Sequence, residues 1–71
     1  MMQLKKIGEE IKKKRKILNI TQPVLSEISG VSLRSLKDLE NGNGNPTMTK
    51  VLKILKVLGL KITISTNISY D

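Results

Sequence analysis

Two short helical patterns, each starting at a capping residue, follow one another between Thr21 and Glu40. Thr21 is suited to cap the first helix, and Pro23 fits its first turn, where a missing amide hydrogen costs little. Gly30 supplies a left-handed residue that ends this helix, and Ser32 caps the next. The segment therefore predicts two short helices joined by a tight turn, which is a helix-turn-helix.

Apolar residues at helical spacing predict one further helix on each side of this segment. The first runs from about Leu4 to Leu18, and the last begins after the cap Thr47 and ends at Gly59. The apolar positions are Leu4, Ile7, Ile11 and Leu18 in the first helix, Leu33, Leu36 and Leu39 in the third, and Val51, Leu52, Ile54, Leu55 and Leu58 in the fourth.

The hydrophobic period changes after Gly59, where Leu60, Ile62 and Ile64 alternate with polar residues in a manner typical of a β-strand. A single strand cannot satisfy its own amides, so it pairs with the same strand of another subunit or leaves an open edge. We predict a mainly α fold with a helix-turn-helix domain at 1–59, followed by a dimerisation strand and tail at 60–71.

The composition indicates the class of partner. A net charge of +7 and a pI near 10.0 favour a polyanion, and nucleic acid is the first candidate. With no His and no Cys, the chain lacks the commonest acid-base group and metal ligands, so we expect neither an enzyme nor a metal or cofactor site. No apolar run suits a membrane span or a secretory signal, so we expect a cytoplasmic protein without membrane contact.

These positions together resemble the phage-repressor and Cro-like helix-turn-helix family, often called XRE. The matching elements are Arg15, Thr21-Gln22, Leu25, Gly30-Val31-Ser32, Leu36, Leu39-Glu40-Asn41-Gly42, Pro46, and Leu52 to Leu58 before Gly59. The family usually continues into a fifth helix, whereas this chain changes to a strand pattern. That departure resembles the HipB-type antitoxins, small dimeric repressors whose C-terminal strands pair between subunits and which bind HipA-type kinase toxins.

The resemblance also bears on Arg15, which lies on the apolar stripe of the first helix, where an unpaired charge would be costly. In the family the matching arginine pairs with the glutamate at the end of the recognition helix, which is Glu40 here. The alternative is an Arg15 that extends to solvent or to a DNA phosphate.

The resemblance implies DNA contacts from the start of the second helix, from the third helix and from the loop after it. The positions are Gln22, Ser32, Leu33, Arg34, Lys37, Asp38, Asn41 and Thr47. Gln22, Asn41 and Thr47 would contact phosphates; the alternative for Gln22 is an exposed first-turn residue without such a contact. Ser32 could act as a cap alone or also contact phosphate or base.

The third helix would carry sequence recognition. Arg34 could form a bidentate pair with guanine or take a phosphate, while Lys37 would contact the backbone. Asp38 could accept from a cytosine amino group, orient Arg34, or form a solvated ion pair with it. Leu33 could meet a thymine methyl or belong to the core. The lysine-rich face of the first helix adds a diffuse field and contains Lys12, Lys13, Lys14 and Lys16.

The sequence thus predicts a sequence-specific transcriptional repressor that binds a near-palindromic double-stranded DNA operator as a homodimer. The strand pattern after Gly59 favours an antitoxin of a HipA-like kinase that regulates its own operon. One alternative is a phage or mobile-element repressor without a toxin. The other is a protein-interaction module in which the basic surface does not bind DNA.

Overall fold

A computed structural model describes residues 4–62, and over that range the chain forms four helices. They are α1 (Leu4–Ile17), α2 (Gln22–Ser29), α3 (Leu33–Glu40) and α4 (Met48–Leu58). Both α1 and α2 pack against α3 and α4. The four helices confirm the helical part of the predicted fold. None of them is long and apolar enough to cross a membrane.

Side-chain caps explain where three of the helices begin. In each case a hydroxyl accepts a hydrogen bond from the backbone amide three residues later, which satisfies a donor that the helix itself leaves free. These bonds run from Val24 to Thr21 at 3.3 Å, from Ser35 to Ser32 at 3.1 Å and from Lys50 to Thr47 at 3.2 Å.

The core lies between the four helices and is entirely aliphatic. Its buried members are Ile11, Leu25, Val31, Leu36, Leu39, Val51, Ile54, Leu55 and Leu58. Two predicted core residues are instead exposed, Leu18 by 42% and Leu52 by 49%. Because α1 ends at Ile17, the chain turns and packs Ile20 against the core in place of Leu18. Leu52 lies beside the buried face of α4, which consists of Val51, Ile54, Leu55 and Leu58.

The end of α4 bears on the predicted strand. Gly59 adopts the left-handed conformation, at φ 70°. Its backbone N–H donates to the carbonyl of Lys56, and the backbone N–H of Leu60 donates to the carbonyl of Leu55 at 2.8 Å. This pair of bonds is a Schellman motif, and it commits the Leu60 amide to the helix end. Residues 60–62 form no strand, although Leu60 and Ile62 pack against the core. The rest of the predicted strand, including Ile64, lies outside the described residues.

Gly8 allows α1 to approach the end of α3 closely. A Cβ atom at this position would overlap the carbonyl oxygen of Leu39 and lie 3.0 Å from that of Glu40. Both obstacles are backbone atoms, so they cannot move aside as a flexible side chain would. Gly8 is therefore a packing requirement within α1 and sets how closely the two helices approach.

We predict that Gly8→Ala lowers the free energy of unfolding by about 1 to 3 kcal/mol, because the added methyl group forces the helices apart. Without that clash, alanine in a helix interior would stabilise by roughly 0.5 to 1 kcal/mol. Urea denaturation followed by circular dichroism measures the difference. Lys12→Ala, on the exposed side of α1, is the matched control and should change stability little. A stabilised Gly8→Ala variant would contradict the close approach.

Candidate nucleic-acid interface

The N-terminus of α2 carries one residue with free donors. Thr21 caps the amide of Val24, and Pro23 has no amide hydrogen, so within residues 4–62 the Gln22 backbone N–H is the uncommitted donor of the first turn. The partial positive charge of a helix N-terminus favours an anion there. Gln22 itself is half-buried. This end of α2 can therefore offer both a backbone and a side-chain donor to an anionic group.

The third helix has two different faces. Leu36 and Leu39 are buried at 0% and 1% exposure, whereas Arg34 and Lys37 are exposed. Neither basic side chain has a hydrogen-bond or ion-pair partner within residues 4–62. Leu33 is half-buried but does not pack against the core cluster. The outward face of α3 thus combines two available cations with an apolar side chain near its start.

Asp38 lies one helical turn after Arg34 but does not pair with it within residues 4–62, contrary to one of the sequence interpretations. A Cβ atom added to Gly44 would lie 3.7 Å from the Asp38 carboxylate, so the carboxylate packs against the loop after α3. The solvated Arg34–Asp38 pair is therefore not formed in this conformation within residues 4–62.

Lys50, in the first turn of α4, is a basic residue near α3 that the sequence did not predict there. The Lys50 ammonium donates a long hydrogen bond to the Ser35 hydroxyl at 3.4 Å, at the surface between the start of α4 and α3. Asn41 and the cap residue Thr47 are both exposed at the two ends of the loop between α3 and α4. The spacing from Thr47 predicts Lys50 in the first turn of α4, but only the tertiary fold brings it to Ser35.

Arg15 and Glu40 form a bidentate ion pair. Arg15 Nε donates to Glu40 Oε2 at 2.8 Å, and Arg15 Nη2 donates to Glu40 Oε1 at 3.0 Å. Arg15 Nη1 also donates to the carbonyl of Ile20 at 2.9 Å. The two side chains are 11% and 1% exposed, so the pair is nearly removed from water. The geometry joins the residues that the family resemblance pairs, and Arg15 does not extend to solvent.

Gln22 is joined to the same carboxylate. Its side-chain Nε2 donates to Glu40 Oε1 at 3.1 Å. No sequence signal predicted this bond, since Gln22 and Glu40 lie on different helices. The ion pair, the turn after α1 and the start of α2 therefore form one hydrogen-bonded cluster.

Comparison with known proteins identifies the domain type. A family profile described as helix-turn-helix (HTH_3) matches residues 11–64. The chain is 40% identical over 57 residues to the cryptic phage CTXphi transcriptional repressor RstR of Vibrio cholerae, covering 80% of this chain and 51% of the repressor. It is also 40% identical over 58 residues to an uncharacterized HTH-type transcriptional regulator, y4mF, of Sinorhizobium fredii, covering 82% of this chain and 76% of that protein. The chain thus spans about half the length of the phage repressor.

We predict that Arg15→Ala and Glu40→Ala each lower the free energy of unfolding by about 3 to 5 kcal/mol, because each leaves the other charge buried and unpaired. Thermal denaturation of the two variants measures the loss. Lys16→Ala, next to Arg15 but exposed, removes the same charge without this effect and is the control. Melting temperatures equal to that of the unaltered protein would show that the pair does not stabilise the fold.

Proposed function

The chain belongs to the XRE-type helix-turn-helix family, and from this premise we propose that it is a sequence-specific transcriptional repressor that binds double-stranded DNA through α2 and α3. The observation that carries the proposal is the outward face of α3, where Arg34 and Lys37 are exposed above the buried Leu36 and Leu39. A helix with this division between faces suits the major groove, since its inner face is fixed by the core. The net charge of +7 supports attraction to the phosphate backbone.

The proposed contacts divide into those that position the domain and those that read sequence. Gln22 binds a phosphate through the donors at the start of α2, and Lys37 binds the backbone beside α3. The exposed residues Ser32, Asn41 and Thr47 add further polar contacts to phosphates. These contacts do not depend on the base sequence, so they supply affinity more than specificity.

Sequence recognition is assigned to the start and middle of α3. Arg34 forms a bidentate pair with guanine, and Leu33 meets a thymine methyl, as expected for direct readout in the major groove. Asp38 accepts from a cytosine amino group at the edge of the site. The absence of an Arg34–Asp38 ion pair within residues 4–62 supports these separate roles, since Arg34 keeps all its donors.

A homodimer is proposed from the C-terminal part of the chain. A largely apolar groove lies along the end of α4 and is lined by Leu52, Leu55, Gly59, Leu60 and Ile62, together with Lys56 and Lys61. The segments that follow Leu60 in two copies would pair as antiparallel strands beside this groove, with Leu60, Ile62 and Ile64 forming the apolar contact between them, which gives two-fold symmetry. The α3 helices of the two copies would then contact half-sites about 34 to 36 Å apart, or a multiple of that, on a near-palindromic operator.

Two biological settings are proposed for such a repressor, and each has its own support. The alternating pattern at 60–65 favours the antitoxin of a HipA-like kinase that regulates its own operon. The similarity to a phage repressor favours a phage or mobile-element repressor without a toxin. A kinase-like reading frame directly downstream, whose product copurifies with this chain, is expected only in the first setting.

The DNA-binding proposal predicts that Arg34→Ala weakens binding to an operator, selected from random duplexes, by about 1 to 3 kcal/mol and relaxes the preference at one position. Gln22→Ala should weaken all sequences similarly, because a phosphate contact carries no base information. Gel shifts at two salt concentrations measure both effects. They should also show a steep salt dependence for the unaltered protein.

The matched control for charge is Lys53→Ala, on an exposed residue of α4 that lies outside the groove and whose side chain has no hydrogen bond within residues 4–62. It should change operator affinity little. If Arg34→Ala lowered the affinity for the operator and for random duplex equally, Arg34 would not recognise a base. Binding that does not respond to salt would favour the protein-interaction module over a repressor.

The dimer proposal predicts that Ile62→Lys yields a monomer with greatly reduced operator affinity, because joining two half-sites raises affinity through effective concentration. Sedimentation measures the mass, and circular dichroism checks that the helices are retained. Lys53→Ala, on an exposed residue of α4 that does not line the groove, should remain a dimer. An Ile62→Lys variant that sediments as the unaltered protein does would place the interface elsewhere.

A further inference from the structure

The hydrogen bond between Gln22 and Glu40 connects the buried ion pair with the proposed phosphate site. We propose that Glu40 is a positioning residue for DNA binding, which holds the Gln22 side-chain amide with its second N–H directed away from the domain and towards a phosphate. This inference rests on the proposed contact of Gln22 with DNA.

The carboxylate determines which end of the Gln22 amide faces inward. An ionised carboxylate only accepts hydrogen bonds, and Glu40 Oε1 receives one from Gln22 Nε2 at 3.1 Å. If the Gln22 amide were reversed, its oxygen would lie against Glu40 Oε1. The two acceptors would then repel each other where little water can separate them. The NH2 group of Gln22 is thereby fixed beside Glu40, and its second N–H diverges from the carboxylate.

The anchor itself is well held. The Glu40 side chain is 1% exposed and accepts two hydrogen bonds from Arg15, at 2.8 and 3.0 Å. Arg15 is in turn held by its bond to the carbonyl of Ile20. The orientation of Gln22 is therefore established by contacts to α1 and α3 before DNA arrives. Ordering in the free protein lowers the entropy that binding must overcome.

Gln22 can then present two donors together. Within residues 4–62, neither its backbone N–H nor its second side-chain N–H has an acceptor. Phosphate oxygens accept such hydrogen bonds readily, and a helix N-terminus favours the negative charge. The cluster thus orients Gln22 so that its two uncharged N–H donors can bind one phosphate.

The decisive test is a double-mutant cycle in operator affinity with Gln22→Ala and Glu40→Gln. We expect Gln22→Ala to weaken binding by about tenfold in the unaltered chain, as for a hydrogen bond to a charged group. In the Glu40→Gln background the same substitution should cost less than about threefold. One of the two carboxylate oxygens becomes an NH2 group, which cannot accept from Arg15 or Gln22, and the remaining uncharged oxygen holds the Gln22 amide more weakly.

Two features separate positioning from other effects of Glu40→Gln. Removal of the carboxylate raises the net charge by one, which by itself strengthens binding to DNA, so a loss of affinity is not a charge effect. Lost stability is controlled by Ile54→Val, a core change away from Gln22. In that background Gln22→Ala should still cost about tenfold. The salt dependence should be the same with and without Gln22→Ala, because the amide is uncharged.

A second measurement needs neither DNA nor a variant. Nitrogen-15 relaxation should show the Gln22 side-chain amide of the free protein to be nearly as ordered as the backbone, unlike that of exposed Asn43. Equal mobility of the two amides would overturn the proposal, as would an equal cost of Gln22→Ala with Glu40 and with Glu40→Gln. Failure of the unaltered protein to bind any duplex, with an ordered Gln22, would instead overturn the proposed function.

Discussion

The buried ion pair between Arg15 and Glu40 is the interaction on which the rest of this domain depends. It joins α1 to the end of α3, and a third bond from Arg15 fixes the carbonyl of Ile20 in the turn before α2. Isolated buried pairs add little net stability, because desolvation offsets their attraction. Here each partner has additional hydrogen bonds, so the pair fixes the relative positions of three helices. Its main contribution is one of geometry.

Gly8 reinforces that geometry from the backbone side. The close approach at Gly8 sets α1 against the carbonyl groups of Leu39 and Glu40, at the same end of α3 that the ion pair holds. An eight-residue helix is too short to be stable alone, so its direction depends on such contacts. With one end of α3 fixed by both contacts, and Leu36 and Leu39 buried in the core, the outward direction of Arg34 follows.

Local signals explain how much of this structure the sequence could predict. The caps and terminal glycines act within a few residues, so the four helices were predicted nearly to their ends. The pairing of Arg15 with Glu40 spans 25 residues and could be stated only through the family resemblance. The Gln22 bond to Glu40 and the Lys50 bond to Ser35 were missed, because they depend on helix packing. The prediction that Leu18 faces the core was wrong, because Asn19 adopts the left-handed conformation, at φ 59°, and turns the chain there.

The proposed interface separates two kinds of polar contact with different responses to solution conditions. Glu40 is buried and neutralised within the domain, whereas Arg34, Lys37 and Lys50 lie on or beside α3 at the surface. Salt screens the exposed charges strongly and the buried pair much less. In the proposed function, salt would therefore weaken the attraction between the exposed cations and DNA while the buried pair continues to direct α3.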